Sequence, residues 1–379
     1  MNRPLKITLI AAASLAALLS CGLLAGAWYV SGILKHDGLI VRDGPPVYDL
    51  AVVAVDTDSI RLRTSELTGD AIRWKTAGES GFRERMTTAG FGTILELTDS
   101  EVEREFEQVH GTFEPGDRVR IDRFTYDNDP LTALGLGYQD VEYASPFGSF
   151  PVWYFPGSRD TWVVFVHGRT ANREEAYRML PTVLDMGFPA LVISYRNDPD
   201  GIATEKRLYE FGQTEWEELE GAVKYATDNG AEDVVLVGFS MGGAIVTNFM
   251  YQSDRTKDVR ALVMDSPMLN FNATVDKGAE DRGLPGPFAW LAKYVAQVRF
   301  GVHWGKLDYL RDVDRLEAPI LLFHGDADET VPKSTSDALA AARPDIVTYI
   351  ETPGATHVGS WNVDRARYEA AVREFLSKP

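Results

Sequence analysis

Residues 233–245 read DVVLVGFSMGGAI, and this stretch decides the fold. A run of apolar residues leads directly into Gly238, Ser240 and Gly242, and a helical pattern follows. This order predicts a sharp strand–turn–helix connection in which the Ser240 hydroxyl projects from a strained turn. Glycine two positions before and after the serine lets the strand and the helix approach without a side-chain clash. The stretch therefore predicts a nucleophilic serine at the end of a buried strand.

The segments around this stretch alternate between apolar strands and helical periods, which predicts a parallel sheet with crossover helices. Near-continuous hydrophobicity indicates that the strands are buried on both faces. Residues 141–157, with Gly148 in the middle, predict a hairpin that leads into the sheet. Strands are predicted at 161–168, 189–195, 233–240, 260–266, 319–326 and 346–352, and helices at 173–186, 215–229, 241–251, 333–342 and 364–376. In open sheets of this kind, ligands bind beyond the carboxyl ends of the strands.

A serine hydroxyl needs a base within hydrogen-bond reach, and histidine is the usual one. Folds built on this strand–turn–helix connection place the acid and then the histidine after the serine in the chain. Of the six histidines, His303, His324 and His357 follow Ser240. His303 precedes nearly every candidate acid, and His324 ends an apolar strand. His357 lies in the small-residue loop TPGATHVGSW after the last strand and is the predicted general base.

The third catalytic residue must be a carboxylate that holds the imidazole in the correct tautomer. Asp328, in LLFHGDADETVP, is preferred because it lies well past the end of a predicted strand. Asp265 competes with it, since the strand of Asp265 also ends near the serine, and Asp326 is a third option. Asp328 is therefore the predicted acid, with the other two left open.

A tetrahedral intermediate needs preorganised hydrogen-bond donors, each worth roughly 3 kcal/mol. The backbone N–H of Met241, directly after the serine, is one expected donor. The loop FVHGRTAN after the first core strand should supply the other, and the Arg169 N–H is preferred there. Gly168 keeps this loop close to the serine, and His167 is expected to order the loop rather than to act as a base.

The bulk composition is that of a folded globular protein: 379 residues, 45% hydrophobic and 25% charged. The formal net charge of -18 repels phosphate backbones, so nucleic acid is not expected as a partner. The single cysteine, Cys21, cannot form an intramolecular disulfide, and no zinc-type ligand spacing exists. No metal and no organic cofactor are expected.

Residues 7–34 carry no charge, which exceeds the roughly 20 residues needed to cross a bilayer. Arg3 and Lys6 precede this run, so the positive-inside rule favours a cytoplasmic N-terminus and a single-pass signal anchor in the cell membrane. The remaining body would then lie outside the cytoplasm. A cleaved signal peptide, which would leave a secreted protein, is the alternative. A lipoprotein signal at Cys21 fits less well, because the apolar run continues past it.

Three units are expected: the anchor at 1–40, a β-rich module at 41–136 and an α/β domain at 137–379. In the module, AVVAVDTDSIRLRT, GTILELT and DRVRIDRFTY alternate as strands do. By contrast, SEVEREFEQVHG (100–111) is predicted to be one short helix capped by Ser100. An insert at about 268–312 is expected to be a short cap, and its stretch GLPGPFAWLAKYVAQVRFGVHW either crosses the pocket mouth as one helix or packs as ordinary core.

The motifs FVHGRTAN, SYRND, GFSMGG, HGDADETVP and GATHVGSW resemble, in this order, the α/β-hydrolase superfamily, in particular its serine aminopeptidase and lysophospholipase-like branch. The resemblance covers about residues 137–379 and implies a Ser-His-Asp mechanism through an acyl-enzyme. Asp328 matches the aspartate of the family's HGxxDxxVP pattern. Members hydrolyse esters, thioesters, amides or peptides.

The predicted function is therefore that of a serine hydrolase of carboxylic esters or related acyl compounds, with a small acyl molecule as substrate. A serine aminopeptidase is the first alternative, and it would need carboxylates such as Glu215, Glu217 and Glu218 to recognise a substrate amine. A non-catalytic envelope protein that binds a ligand is the second.

Overall fold

The computed structural model describes residues 3–41, 48–64, 80–84, 87–98, 100–122, 126 and 128–378. Its helices are α1 (Arg3–Leu34), α2 (Pro130–Leu134), α3 (Leu180–Asp185), α4 (Trp216–Asp228), α5 (Met241–Gln252), α6 (Phe271–Asp281), α7 (Gly286–Phe300), α8 (Ser334–Ala342), α9 (Ser360–Val363) and α10 (Arg365–Leu376). Its strands are β1 (Leu50–Val55), β2 (Ser59–Thr64), β3 (Ser80–Glu84), β4 (Thr87–Leu97), β5 (Glu101–His110), β6 (Arg118–Asp122), β7 (Gln139–Ser145), β8 (Gly148–Phe155), β9 (Thr161–Val166), β10 (Ala190–Ile193), β11 (Asp233–Phe239), β12 (Val259–Asp265), β13 (Ile320–Gly325) and β14 (Val347–Thr352).

The main sheet has eight strands in the order β14-β13-β12-β11-β9-β10-β8-β7. The strands from β9 to β14 run parallel, whereas β8 is antiparallel to β10 and forms a hairpin with β7. The six predicted core strands and the hairpin are confirmed to within a few residues. Two separate apolar clusters cover the two faces of the sheet, because most strands between the edges carry apolar side chains on both sides. The fold is that of an α/β-hydrolase.

The expected β-rich segment contains a closed barrel of six described strands, in the order β1-β2-β5-β4-β3-β6. The predicted helix at 100–111 is wrong, because residues 101–110 form β5. Its side chains alternate, so that Val102, Arg104 and Phe106 are buried while Glu101 and Glu103 are not. The two glutamates pair across the ladder with Arg63 and Arg61 of β2, which favours the strand over a glutamate-rich helix.

The side chain of Arg104 is buried inside the barrel with the apolar residues. Removal from water lowers the pKa of this guanidinium to about 10. The apolar residues of the barrel core form a cluster separate from those of the main sheet: Leu50, Val52, Ile60, Leu62, Val102, Phe106, Phe113 and Val119.

Helix α1 continues into a single wider helical turn (Lys35–Leu39), and residues 11–39 together are long and apolar enough to span a membrane. The insert between β12 and β13 begins with α6 and α7. Helix α7 packs along the second half of α1, where Gly26 meets the ring of Phe288 and Ser31 accepts a hydrogen bond from Arg299. The later contact in α1 is also the later one in α7, so the two helices run side by side and parallel.

Candidate active site

Ser240 lies between β11 and α5 with φ 50° and ψ −113°, a conformation that costs energy for any residue other than glycine. Neither flanking glycine has room for a side chain. A Cβ on Gly242 would lie 2.0 Å from the carbonyl oxygen of Val166, and one on Gly238 would lie 2.7 Å from the backbone of Gly242. The tight packing of strand and helix therefore fixes the turn that directs Ser240 toward the cavity.

The structure brings Ser240, His357 and Asp328 together from three loops. The Ser240 Oγ lies 2.8 Å from Nε2 of His357, and Nδ1 of His357 lies 2.7 Å from Oδ2 of Asp328. Ser240 and Asp328 are buried, and His357 is partly exposed. A hydroxyl, an imidazole and a carboxylate thus form one hydrogen-bonded chain, the arrangement in which a histidine can take the serine proton.

Both oxygens of Asp328 are occupied. Its Oδ1 accepts hydrogen bonds of 2.8 Å from the N–H groups of Thr330 and Val331, and its Oδ2 also lies 3.1 Å from Nε2 of the buried His324. Burial alone would raise the pKa of Asp328, but His357 and His324 outweigh burial and hold that pKa well below its ordinary value. The carboxylate therefore stays ionised at any pH near neutral.

The contact of His324 with Asp328 was not predicted, because in the sequence His324 ends an apolar strand. The Nδ1 of His324 lies 2.7 Å from the Ser336 hydroxyl, and its Nε2 lies 3.2 Å from the Val331 carbonyl oxygen. Because Nε2 faces two oxygen acceptors, its N–H is the donor toward Asp328. The position of His324 four residues before Asp328, in HGDAD, was the signal available in the sequence.

The two competing aspartates lie elsewhere. The buried carboxylate of Asp265 accepts a hydrogen bond from the Ser266 hydroxyl, while its backbone carbonyl accepts one from the Ser240 N–H. Burial raises the pKa of Asp265 to about 6. The carboxylate of Asp326 instead accepts a 2.6 Å hydrogen bond from the N–H of Gly354 and so supports the loop that precedes His357.

The loop after β9 packs directly on the serine turn. A Cβ on Gly168 would lie 3.0 Å from Cβ of Ser240, and the next residue, Arg169, lines the cavity in front of Ser240. Met241 is the first residue of α5 and is buried. His167 is buried, with Nε2 2.8 Å from Asp198 and the ring stacked on Tyr195. Burial disfavours the charged form of His167, but Asp198 outweighs it and raises the imidazole pKa.

A buried ion pair beneath this loop escaped the sequence analysis. Glu175 accepts a 2.6 Å hydrogen bond from the Gly168 N–H, and its other oxygen lies 3.3 Å from Arg178. Arg178 in turn donates to the carbonyl oxygen of Val358, next to His357. The pair therefore links the loop on one side of Ser240 with the histidine loop on the other. Nothing in the local pattern of residues 173–178 distinguishes it from an ordinary helical surface pair.

A cavity of about 630 Å³ opens in front of Ser240 and His357, within the usual range for small-molecule sites. The end of α1 forms part of the cavity wall, although the sequence predicted this helix only as a membrane anchor. Other parts come from the loop after β9, from α6 and the turn after it, and from the loops that carry Glu329 and His357. Helix α7, for which the sequence left open a position over the mouth or in the core, contributes no described lining residue. The lining residues from α1, from the helical turn after it (Lys35–Leu39) and from α6 are Val30, Ile33, Leu34, Asp37, Gly38, Phe271, Thr274, Val275, Gly278, Ala279 and Asp281.

The three glutamates considered for recognition of a substrate amine are engaged outside this cavity. Glu215 is buried and accepts hydrogen bonds from the N–H groups of Glu210 and Gly212. Glu217 and Glu218 both pair with Arg196. Among the residues that the structure describes, no cluster of three or more His, Cys, Asp or Glu side chains could hold a metal ion.

This combination of a mostly parallel sheet and a serine on a strand–turn–helix connection defines an α/β-hydrolase. Residues 163–371 match the model of the Alpha/beta hydrolase family, so the chain belongs to that family. The superfamily predicted from the motifs is thereby confirmed, and the branch within it stays a prediction.

Individual relatives are distant. YfhR of Escherichia coli (strain K12) is 22% identical over 253 residues, which cover 65% of this chain and 82% of YfhR. WAV2 of Arabidopsis thaliana, an alpha/beta hydrolase domain-containing protein, is 26% identical over 271 residues, covering 66% and 82%. Among solved structures, the Pyrococcus furiosus esterase Pf2001 superposes with a TM-score of 0.54 at 21% identity, over 66% of this chain and 94% of the esterase. At this identity the structural likeness concerns the fold.

Proposed function

We propose that this protein is a serine hydrolase that cleaves carboxylic esters or related acyl compounds through an acyl-enzyme. The observation that carries the proposal is the hydrogen-bonded chain from Ser240 through His357 to Asp328 at the wall of the cavity. The similarity to the Pyrococcus furiosus esterase supports an ester as the substrate.

In the proposed reaction, the Ser240 Oγ attacks the acyl carbonyl carbon while His357 Nε2 takes the hydroxyl proton. Asp328 stabilises the imidazolium that forms. The N–H groups of Met241 and Arg169 donate to the developing oxyanion. His357 then gives its proton to the leaving alcohol, which departs as the acyl-enzyme forms. A water molecule, deprotonated by His357, attacks the acyl-enzyme and releases the acid and free Ser240.

We further infer that α1 anchors the enzyme in the cell membrane, with a cytoplasmic N-terminus and the catalytic domain outside. The helix from residue 11 to 39 has the required length and composition, and Arg3 and Lys6 precede the apolar run. Cleavage of α1 as a signal peptide would remove part of the cavity wall, which argues for its retention.

Two measurements test this function. A fluorophosphonate probe should label the full-length protein and should fail to label Ser240→Ala, whereas equal labelling of both would exclude Ser240 as the nucleophile. Absence of labelling in both would favour a binding protein without catalysis. A panel of fluorogenic acyl esters and aminoacyl amides then separates esterase from aminopeptidase, and faster turnover of the amides would overturn the ester preference.

A further inference from the structure

The end of α1 is a wall of the cavity as well as part of a membrane span. Val30, Ile33, Leu34 and Asp37 follow one another at helical spacing of three and four residues, and all of them line the cavity that contains Ser240 and His357. A substrate in front of the serine therefore contacts the helix that continues into the apolar N-terminal segment.

Specific contacts hold this part of α1 on the body. The Arg299 guanidinium donates hydrogen bonds to the Trp28 carbonyl oxygen at 2.6 Å and to the Ser31 hydroxyl at 2.7 Å, and it lies 3.7 Å from the centre of the Trp28 ring. Ala27 and Ser31 are fully buried, whereas residues 11–25 are all exposed. The packed portion of α1 thus starts at about Gly26.

The length of the exposed portion fixes where the bilayer would end. Residues 7–26 are uncharged, and 20 helical residues rise about 30 Å, the thickness of the hydrocarbon core. One membrane surface then lies at about residues 26–29. Trp28 and Tyr29, both more than half exposed, occur at this level, where Trp and Tyr are enriched in membrane proteins.

Helix α7 presents a second exposed apolar stripe, which begins beside this level and continues away from the membrane. Trp290, Tyr294 and Val298 follow at intervals of four residues, so they share one face of the helix, and each is more than half exposed. The rings of Trp290 and Tyr294 stack on each other. Because α7 runs alongside α1 from Gly26 onward, the stripe continues the exposed apolar surface of the anchor.

We propose that Trp28, Tyr29, Trp290 and Tyr294 form an interfacial surface at the edge of the lipid bilayer, and that the cavity takes its substrate from the membrane. The substrate class is an acyl ester resident in the bilayer, whose chain passes along Val30 and Ile33 to reach Ser240. The proposal rests on the esterase function and membrane anchoring proposed above. Continuity with the membrane span favours lipid over a second protein as the occupant of this surface.

The test uses the full-length protein in phosphatidylcholine vesicles, with a fluorogenic palmitoyl ester carried in the vesicles and the matching butyryl ester in water. The double variant Trp290→Ser/Tyr294→Ser should lower palmitoyl hydrolysis by about fivefold or more, because it removes apolar side chains from the interfacial surface that contacts the bilayer. Butyryl hydrolysis and fluorophosphonate labelling should not change, because neither residue lines the cavity. Leu131→Ser, at a comparably exposed site on α2, is the matched control and should change neither rate.

A second variant, Val30→Trp, narrows the cavity at α1 and should lower palmitoyl hydrolysis more than butyryl hydrolysis. If every variant hydrolysed both esters at the wild-type rates, the membrane inference would be overturned and the esterase proposal would remain intact. A change in oligomeric state in the double variant, with an unchanged ratio of the two rates, would assign the surface to a second copy and also overturn it. Absence of butyryl hydrolysis in the wild type would instead refute the proposed function itself.

Discussion

Asp328→Asn is the substitution that separates the proposed acid from its competitor. The Oδ1 of Asp328 accepts two backbone N–H groups, so an asparagine must keep its carbonyl oxygen there and turn its NH₂ toward Nδ1 of His357. Nδ1 would then accept a hydrogen bond, and the proton would sit on Nε2, which faces Ser240. A His357 in this tautomer cannot take the serine proton. By the precedent of such triads, kcat should fall about 10⁴-fold, equal to about 5 kcal/mol of transition-state stabilisation.

The assay is the steady-state hydrolysis of a soluble butyryl ester, with circular dichroism to establish that the variant is folded. Because the pKa of Asp328 lies well below neutrality, the loss should be constant from neutral to mildly alkaline pH. Asp265→Asn is the matched control and should keep activity of the same order as the wild type. If Asp265→Asn lost most activity while Asp328→Asn retained it, the assignment of the acid and the reasoning from tautomers would both be refuted.

Three further predictions concern the packing and charge around the site. Gly242→Ala should destabilise the fold by more than about 3 kcal/mol through a backbone clash, whereas Gly286→Ala, at an open position at the start of α7, should not; equal shifts in thermal unfolding would contradict this. Arg178→Met should lower the free energy of unfolding in urea by about 3–5 kcal/mol, because it leaves the Glu175 carboxylate buried without its partner. Adding Glu175→Gln should restore part of that stability. A double variant less stable than Arg178→Met would contradict the role of this ion pair. The pKa of Asp265 is raised from 3.8 to about 6 in the folded protein. The protonated carboxyl therefore contributes its full stabilisation below pH 4, and the free energy of unfolding should fall by roughly 3 kcal/mol as the pH rises through 6. Asp265→Asn should remove that decline, and an unchanged difference between pH 4 and pH 7 would refute it.

Much of the α/β fold was predictable because each element depends on local pattern. The core strands are continuous apolar runs, and the crossover helices have the 3.6-residue period, so neither needs knowledge of distant contacts. The segment at 101–110 shows the limit of such reasoning. Its glutamates favour a helix on propensity, but their partners, Arg61 and Arg63, lie about forty residues earlier, and only pairing across strands makes the alternation decisive.

The same limit applies to the site. Ser240, His357 and Asp328 could be proposed because each follows a recognisable strand end, but the choice among three aspartates depended on which loop reaches the imidazole. The contact of His324 with Asp328 and the link from Glu175 to Arg178 join residues by packing, which a single sequence does not reveal. The cavity wall formed by α1 was not predicted for a different reason. An apolar segment of this length indicates a membrane span, and its sequence does not show whether its C-terminal end also packs on the catalytic domain.

The measurement that tests the central claim most directly is the location of the covalent intermediate. Full-length protein mixed with a p-nitrophenyl ester should be quenched in acid early in turnover and digested, and the peptide that contains residues 233–245 analysed by tandem mass spectrometry. A serine hydrolase of the proposed kind carries one acyl group on Ser240, formed with a burst of p-nitrophenol. Turnover of the ester without an adduct on Ser240, and undiminished in Ser240→Ala, would contradict the proposed mechanism.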